Sequence, residues 1–144
     1  MSIWFKKYKL EDIRHMEKGT MLEYLGIELT SIDNDAVQGK MPVDHRTVQP
    51  MGLLHGGASC VLAESLGSIG AYLLVDTAKF YCVGLDINAN HIRSATSGYV
   101  YGTAKPLHIG KTTQVWGIEI KDENGKPVCI SRLTMAVVEH KRIS

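Results

Sequence analysis

The run Gln49-Pro50-Met51-Gly52-Leu53-Leu54-His55-Gly56-Gly57-Ala58-Ser59-Cys60-Val61-Leu62-Ala63-Glu64-Ser65-Leu66-Gly67-Ser68 decides the fold of this chain. Leu62, Leu66, Ile69 and Leu73 recur at i, i+4, i+7 and i+11, a single apolar stripe at helical period. The spacing predicts a helix from about Gly56 or Gly57 to Leu74. Between Gln49 and Val75 the only formal charge is Glu64. At about 100° per residue, the face opposite the Leu62 stripe holds Gly57, Cys60, Glu64, Gly67, Ser68 and Ala71. A solvated helix face would carry Lys, Arg and Glu. This one is small and nearly uncharged, so another chain or a ligand is expected to pack closely on it.

On the N-terminal side, Leu10, Ile13, Met16 and Leu22 suggest short amphipathic helix. Thr20-Met21-Leu22-Glu23 has the form of a capping box, with Gly26 as a helix stop. Gly26–Ile32 and Ala36–Val43 form two expected strands around the turn Asp33-Asn34-Asp35. After Lys79 the chain reads as about four strands. Tyr81, Val83, Leu85, Ile87 and Ala89 alternate, as do Trp116, Ile118 and Ile120, and Asn124-Gly125 marks a hairpin. Short turns between late strands imply antiparallel pairing. The expected fold is α+β: a long central helix buried against one curved antiparallel sheet, in a single domain over residues 1–144.

Composition narrows the function. The chain has 144 residues, 44% hydrophobic and 22% charged, which is globular rather than disordered. A net charge of +1 lacks the basic excess of a duplex binder, so no nucleic-acid partner is expected. The longest apolar stretch, Ala58 to Val75, carries Glu64 near its middle, so no membrane-spanning helix is expected. Met1-Ser2-Ile3-Trp4-Phe5-Lys6-Lys7 has no signal-peptide core, and the expected location is cytoplasmic. Cys60, Cys82 and Cys129 are far apart and form no CxxC, which supports neither a disulfide framework nor a zinc site.

Two elements of the quoted run carry chemistry. A carboxylate on a small, uncharged face is confined, and confinement is costly unless the group is hydrogen-bonded or functional. Ser68 lies one turn from Glu64 on the same face. Gly56-Gly57 opens the helix, where free N–H groups and the helix dipole suit an oxyanion developing on a carbonyl. The same pair could merely permit a tight turn. Gly56 and Glu64 are eight residues apart, roughly 12 Å along a helix at 1.5 Å per residue. One chain cannot easily bring both to one carbonyl, whereas two antiparallel copies of the helix could.

The segment His55-Gly56-Gly57-Ala58-Ser59 through Glu64 to Ser68, with Gly84-Leu85-Asp86-Ile87-Asn88-Ala89-Asn90-His91-Ile92-Arg93, resembles the hotdog-fold acyl-CoA thioesterases. The similarity is to the phenylacetate-pathway type, in the branch of the 1,4-dihydroxy-2-naphthoyl-CoA hydrolases and the enterobactin-pathway proofreading thioesterases. It runs from about Leu22 to Glu139. The resemblance implies hydrolysis of an aromatic or hydroxyaroyl thioester. Glu64 would be general base or nucleophile. Gln49, His55 and the Gly56 amide would come from the facing subunit, and Ser68 would hydrogen-bond near the carboxylate or water. It implies a homodimer at least, with sheets paired edge to edge, and a tetramer as a dimer of dimers. The substrate would be an acyl-CoA or acyl-carrier thioester, and no cofactor is expected, because coenzyme A is part of the substrate.

His91 and Arg93 end an otherwise apolar strand. They could meet coenzyme A phosphates, which suit Arg, or simply reach solvent. Lys105, Lys111 and Arg132 are weaker candidates of the same kind. Gly110-Lys111-Thr112 lacks the earlier glycine of a phosphate loop, since Lys105 stands there. Cys60 has no His one turn away and reads as packing. His55 and His91 have no metal-ligand spacing, so no metal is expected. The competing function is a non-catalytic acyl-CoA or aromatic-ligand binding module on the same fold, which would need no carboxylate at Glu64.

Overall fold

The computed structural model describes residues 1–141; residues 142–144 of the expected domain lie outside the described residues. In chain order the elements are α1 (Leu10–Ile13), a 3-10 turn (Arg14–Met16), α2 (Met21–Leu25), β1 (Glu28–Ile32), β2 (Val37–Pro42) and α3 (Gly56–Leu74). Strands β3 (Phe80–His91), β4 (Tyr99–Ile109), β5 (Thr113–Lys121) and β6 (Pro127–Glu139) follow. The strands form one antiparallel sheet in the order β1-β2-β4-β5-β6-β3, and α3 lies across it.

Helix α3 spans the expected residues, and Leu62, Leu66, Ile69 and Leu73 are all buried. Its length and mean hydropathy would suffice for a membrane crossing despite Glu64, but more than half of its apolar window is buried inside the protein. Helix and sheet meet closely where glycines face them. A Cβ on Gly67 would stand 2.7 Å from Leu133 Cδ2, and one on Gly70 would overlap the Trp116 ring. Trp116 is fully buried, donates from Nε1 to Gln114 Oε1 at 2.9 Å, and stacks on Trp4 with ring centroids 6.4 Å apart. The N-terminal segment carrying Trp4 is tied down by Trp4 Nε1–H donating to Asp33 O and Phe5 N–H to Leu73 O.

Three expectations are corrected. The small face of α3 is not wholly free for another chain, because Gly67 and Ala71 are buried against this chain's own sheet. The stripe left partly open is Gly57, Cys60, Val61, Glu64, Ser65, Ser68 and Tyr72. Thr20 and Glu23 form no capping box: the Thr20 hydroxyl donates to Met16 O and Glu17 O, and Glu23 accepts from Gly19 N–H. The 3-10 turn before α2 supplies carbonyl acceptors that compete for the hydroxyl. Finally, the alternation of β3 does not mark one buried face. Tyr81 and Val83 are exposed, and a bulge between Gly84 and Asp86 reverses the parity, so that Ile87 and Ala89 turn inward.

The Gly70–Trp116 contact yields a test. Glycine to alanine inside a helix ordinarily adds up to about 1 kcal/mol, whereas overpacking a filled core costs roughly 1–3 kcal/mol. With Trp116 fully buried, Gly70→Ala is expected to lower the urea midpoint. A midpoint at or above that of the parent would show that the ring gives way freely.

Candidate active site

The loop from Asp44 to His55 delivers several candidates to the start of α3. Asp44 grips Arg46, with Arg46 Nη2 2.6 Å from Asp44 Oδ2. Buried Thr47 donates from Oγ1 to Pro42 O at 2.6 Å, which ties the loop to the end of β2. Gln49 and Gly52 close a tight turn, with Gln49 N–H donating to Leu53 O and Gly52 N–H to Gln49 O; Gly52 has φ 79°. The Gln49 side-chain oxygen accepts from Met51 N–H, which leaves the side-chain NH2 to donate elsewhere. His55 N–H then donates to Thr47 O at 2.8 Å, and this fixes the residue before the helix.

His55 caps α3, its Nδ1 accepting from Gly57 N–H at 2.8 Å. The proton of a neutral imidazole is therefore on Nε2, and Gly57 N–H is spent on the cap. Among the described residues the Gly56 amide makes no hydrogen bond. It remains a donor at the positive end of a nineteen-residue helix.

His91 arrives beside it from β3. A Cβ on Gly56 would stand 2.7 Å from His91 Nε2, so a larger residue there would push the imidazole away from the helix start. His91 faces α3 because the β3 bulge resets the strand's parity. Gln49, Gly56, Ser59, His91 and Arg93 line one cleft of about 290 Å³. Ile92 and Arg93 are held there by their N–H groups donating to Val128 O.

Glu64 and Ser68 do not line that cleft. Glu64 sits further along α3, half-buried, beneath the β3 bulge; a Cβ on Gly84 would stand 2.6 Å from its Oε1. Ser68 Oγ donates to Met135 Sδ at 3.8 Å. Burial pushes the Cys60 thiol above its ordinary pKa, and the Glu64 charge adds to this, so Cys60 is a poor nucleophile. Among the described residues no group of three or more His, Cys, Asp or Glu side chains could hold a metal ion.

The sequence reading missed Gly84. Its signal was a glycine inside an alternating strand, which marks a bulge or a close approach. Here it provides both: the bulge, and the space taken by the Glu64 carboxylate.

The family model for the thioesterase superfamily matches residues 51–129. The chain is 52% identical over 136 residues to a 1,4-dihydroxy-2-naphthoyl-CoA hydrolase of Escherichia coli K12, covering 94% of this chain and 99% of that protein. It is 47% identical over 137 residues to a proofreading thioesterase of Cronobacter turicensis, covering 94% and 98%. A crystallised thioesterase of Pseudomonas aeruginosa, in a glutamine-to-alanine form, is similar with a TM-score of 0.94 at 50% identity, covering 96% of this chain and 100% of that one.

The Asp44–Arg46 pair gives the loop a pH dependence. The Arg46 side chain, then its backbone N–H, hydrogen-bonds the Asp44 carboxylate and lowers its pKa to about 2. A carboxyl depressed below its unfolded value of about 3.9 stabilises the fold at neutral pH, and the contribution is lost as pH falls from about 4 towards 2. Asp44 is a third exposed, so the contribution is below about 1 kcal/mol. Asp44→Asn is expected to melt slightly below the parent at pH 7 and level with it near pH 2. A gap that persists at pH 2 would assign the difference to something other than the ion pair.

Proposed function

The chain belongs to the thioesterase superfamily, as a thioester hydrolase of the hotdog fold, and on that premise we propose that it hydrolyses an aromatic or hydroxyaroyl coenzyme A thioester with Glu64 as the reacting carboxylate. One observation carries this reading. The free Gly56 amide and Gln49 border one cleft, while the lone carboxylate of α3 stands apart on the helix stripe that the sheet leaves open. Two copies meeting along that stripe bring the halves together.

In that arrangement the thioester oxygen accepts from Gly56 N–H of one subunit, with His55 beside it. Glu64 of the other subunit either takes a proton from water or attacks the carbonyl carbon itself. In the first case, hydroxide adds and the C–S bond breaks. In the second, a mixed anhydride forms and water then cleaves it. Both routes release the thiolate of coenzyme A, which takes up a proton. The Gln49 NH2 orients the water, and Ser68 lies one turn from Glu64 to hold it. Arg93 and His91 take the phosphate-bearing arm. Coenzyme A enters as part of the substrate. The substrate name of the Escherichia coli relative supports an aromatic acyl group.

The dimer is supported by β3, a twelve-residue edge strand whose outer side has no strand partner among the described residues. Long free edges invite pairing with a second chain. The outer sheet face presents Tyr81, Val83, Tyr101, Leu107 and Ile130 at 42% exposure or more. Such a patch fits a second dimer, giving the tetramer.

Glu64→Gln is expected to keep the fold and lose roughly 10²–10⁴-fold in turnover of an aroyl-CoA, since the amide neither accepts the proton nor attacks. Near-normal turnover by the folded variant would remove Glu64 from the reaction.

Mixing subunits tests where each site is built. Glu64→Gln and Gln49→Ala chains are each expected to be poorly active alone. After co-refolding, half of the dimers are mixed, and each mixed dimer holds one intact site of two. Activity is expected to recover to about a quarter of the parent's. No recovery despite demonstrated subunit exchange would mean that each chain builds its own site.

A further inference from the structure

Nothing polar holds the Glu64 carboxylate in place. Among the described residues it makes no ion pair and accepts no hydrogen bond, although the residue is half-buried. A reacting group must nevertheless be held close to its productive position, because a misplacement of about 1 Å can cost on the order of a hundred-fold in rate. What fixes this carboxylate is therefore the shape of the surface it lies on.

That surface is one cross-strand pair. Gly84 of β3 and Met135 of β6 stand directly opposite each other, on the last rung of the ladder before the β3 bulge. Gly84 leaves a gap, and the carboxylate fills it: a Cβ there would stand 2.6 Å from Glu64 Oε1 and 3.8 Å from Cδ. The Met135 sulfur borders the gap, 3.9 Å from the same Cβ position, on a side chain only 2% exposed. It also accepts from Ser68 Oγ at 3.8 Å. Two residues one turn apart on α3 thus engage one member of the pair each. The Ser68 hydroxyl has a single proton. With that proton directed at sulfur, Ser68 offers only lone pairs to a water beside Glu64. The glycine is not there for the backbone, since Gly84 is not among the positive-φ glycines, and glycine inside a strand weakens it. What the position excludes is a side chain, and it excludes it for a Glu64 oxygen.

We propose that the Gly84–Met135 pair is a positioning element of the reaction: Gly84 sets where the Glu64 carboxylate lies, and Met135 sets which way the Ser68 hydroxyl points. The assignment rests on the reading above of Glu64 as the reacting carboxylate. It adds two positioning residues that act through Glu64 and Ser68 and not on the substrate.

Gly84→Ala in the full-length protein is the test. The atom in its way is the tip of a flexible side chain, so the variant is expected to fold by moving the carboxylate, roughly 1 Å to an ordinary contact. Its urea midpoint should equal or exceed the parent's. With benzoyl-CoA as the probe, KM should stay within about two-fold and kcat fall roughly 10–100-fold, because a displaced carboxylate costs chemistry and not binding. Shortening the acid removes the clash. Glu64→Asp is expected to be slow by itself, and adding Gly84→Ala to it should change kcat by less than about two-fold. Met135→Leu keeps the volume and removes the acceptor, and should lower kcat roughly three- to ten-fold at unchanged KM. A crystal structure of Gly84→Ala gives a readout apart from turnover: Glu64 is expected to swing away while the β3 and β6 backbones stay in place. Parent-like kcat in Gly84→Ala, losses that multiply in the double variant, or an unmoved carboxylate overturns the role of Gly84. Parent-like kcat in Met135→Leu overturns that of Met135. The two readings fail separately: a folded Glu64→Gln with parent turnover sinks the catalytic role, whereas an inactive Glu64→Gln beside a fully active Gly84→Ala sinks the positioning element alone.

Discussion

The close approach of one helix to the sheet that curves around it is the constraint on which this molecule depends. Gly67 and Gly70 bring the α3 backbone onto Leu133 and Trp116 with no room for a further carbon. The sheet then buries most of the helix circumference and leaves one stripe. Glu64, the only carboxylate of α3, lies on that stripe. If the contact were looser, the stripe would widen to solvent and Glu64 would be an ordinary surface side chain.

The bulge in β3 is the second device. It turns Cys82 and Gly84 towards α3 on one side of Leu85 and Ile87, Ala89 and His91 towards it on the other. Without the extra residue, either Gly84 or His91 would face away. One backbone irregularity therefore makes room for the Glu64 carboxylate and sets an imidazole against Gly56 at the far end of the same strand. A bulge beside an active site is a common way to re-aim side chains.

The start of α3 sorts its amide donors by their neighbours. His55 takes up Gly57 N–H, and this leaves Gly56 N–H as the free donor. The cap that stabilises the helix thereby also selects which amide is left for a ligand.

The helix was legible in the sequence because a 3.6-residue period of Leu and Ile admits one element, and its start was legible because Gly-Gly follows a residue able to cap. The α+β class followed from alternating runs joined by Asn-Gly and Asp-rich turns. Glu64 stood out through the absence of other charges around it. Local patterns of this kind are set by neighbours a few residues away, which the sequence displays directly. The small face of α3 was ambiguous, because a glycine looks the same whether its own sheet or another chain approaches it; the burial of Gly67 and Ala71 decides in favour of the sheet. The alternation of β3 misled for a related reason. Period-2 patterning assumes an unbroken ladder, and the bulge that reverses it is set by pairing with β6, about fifty residues away in the chain. The separation of Glu64 from Gln49 and Gly56 arises from packing between distant segments, so tertiary structure alone decided it.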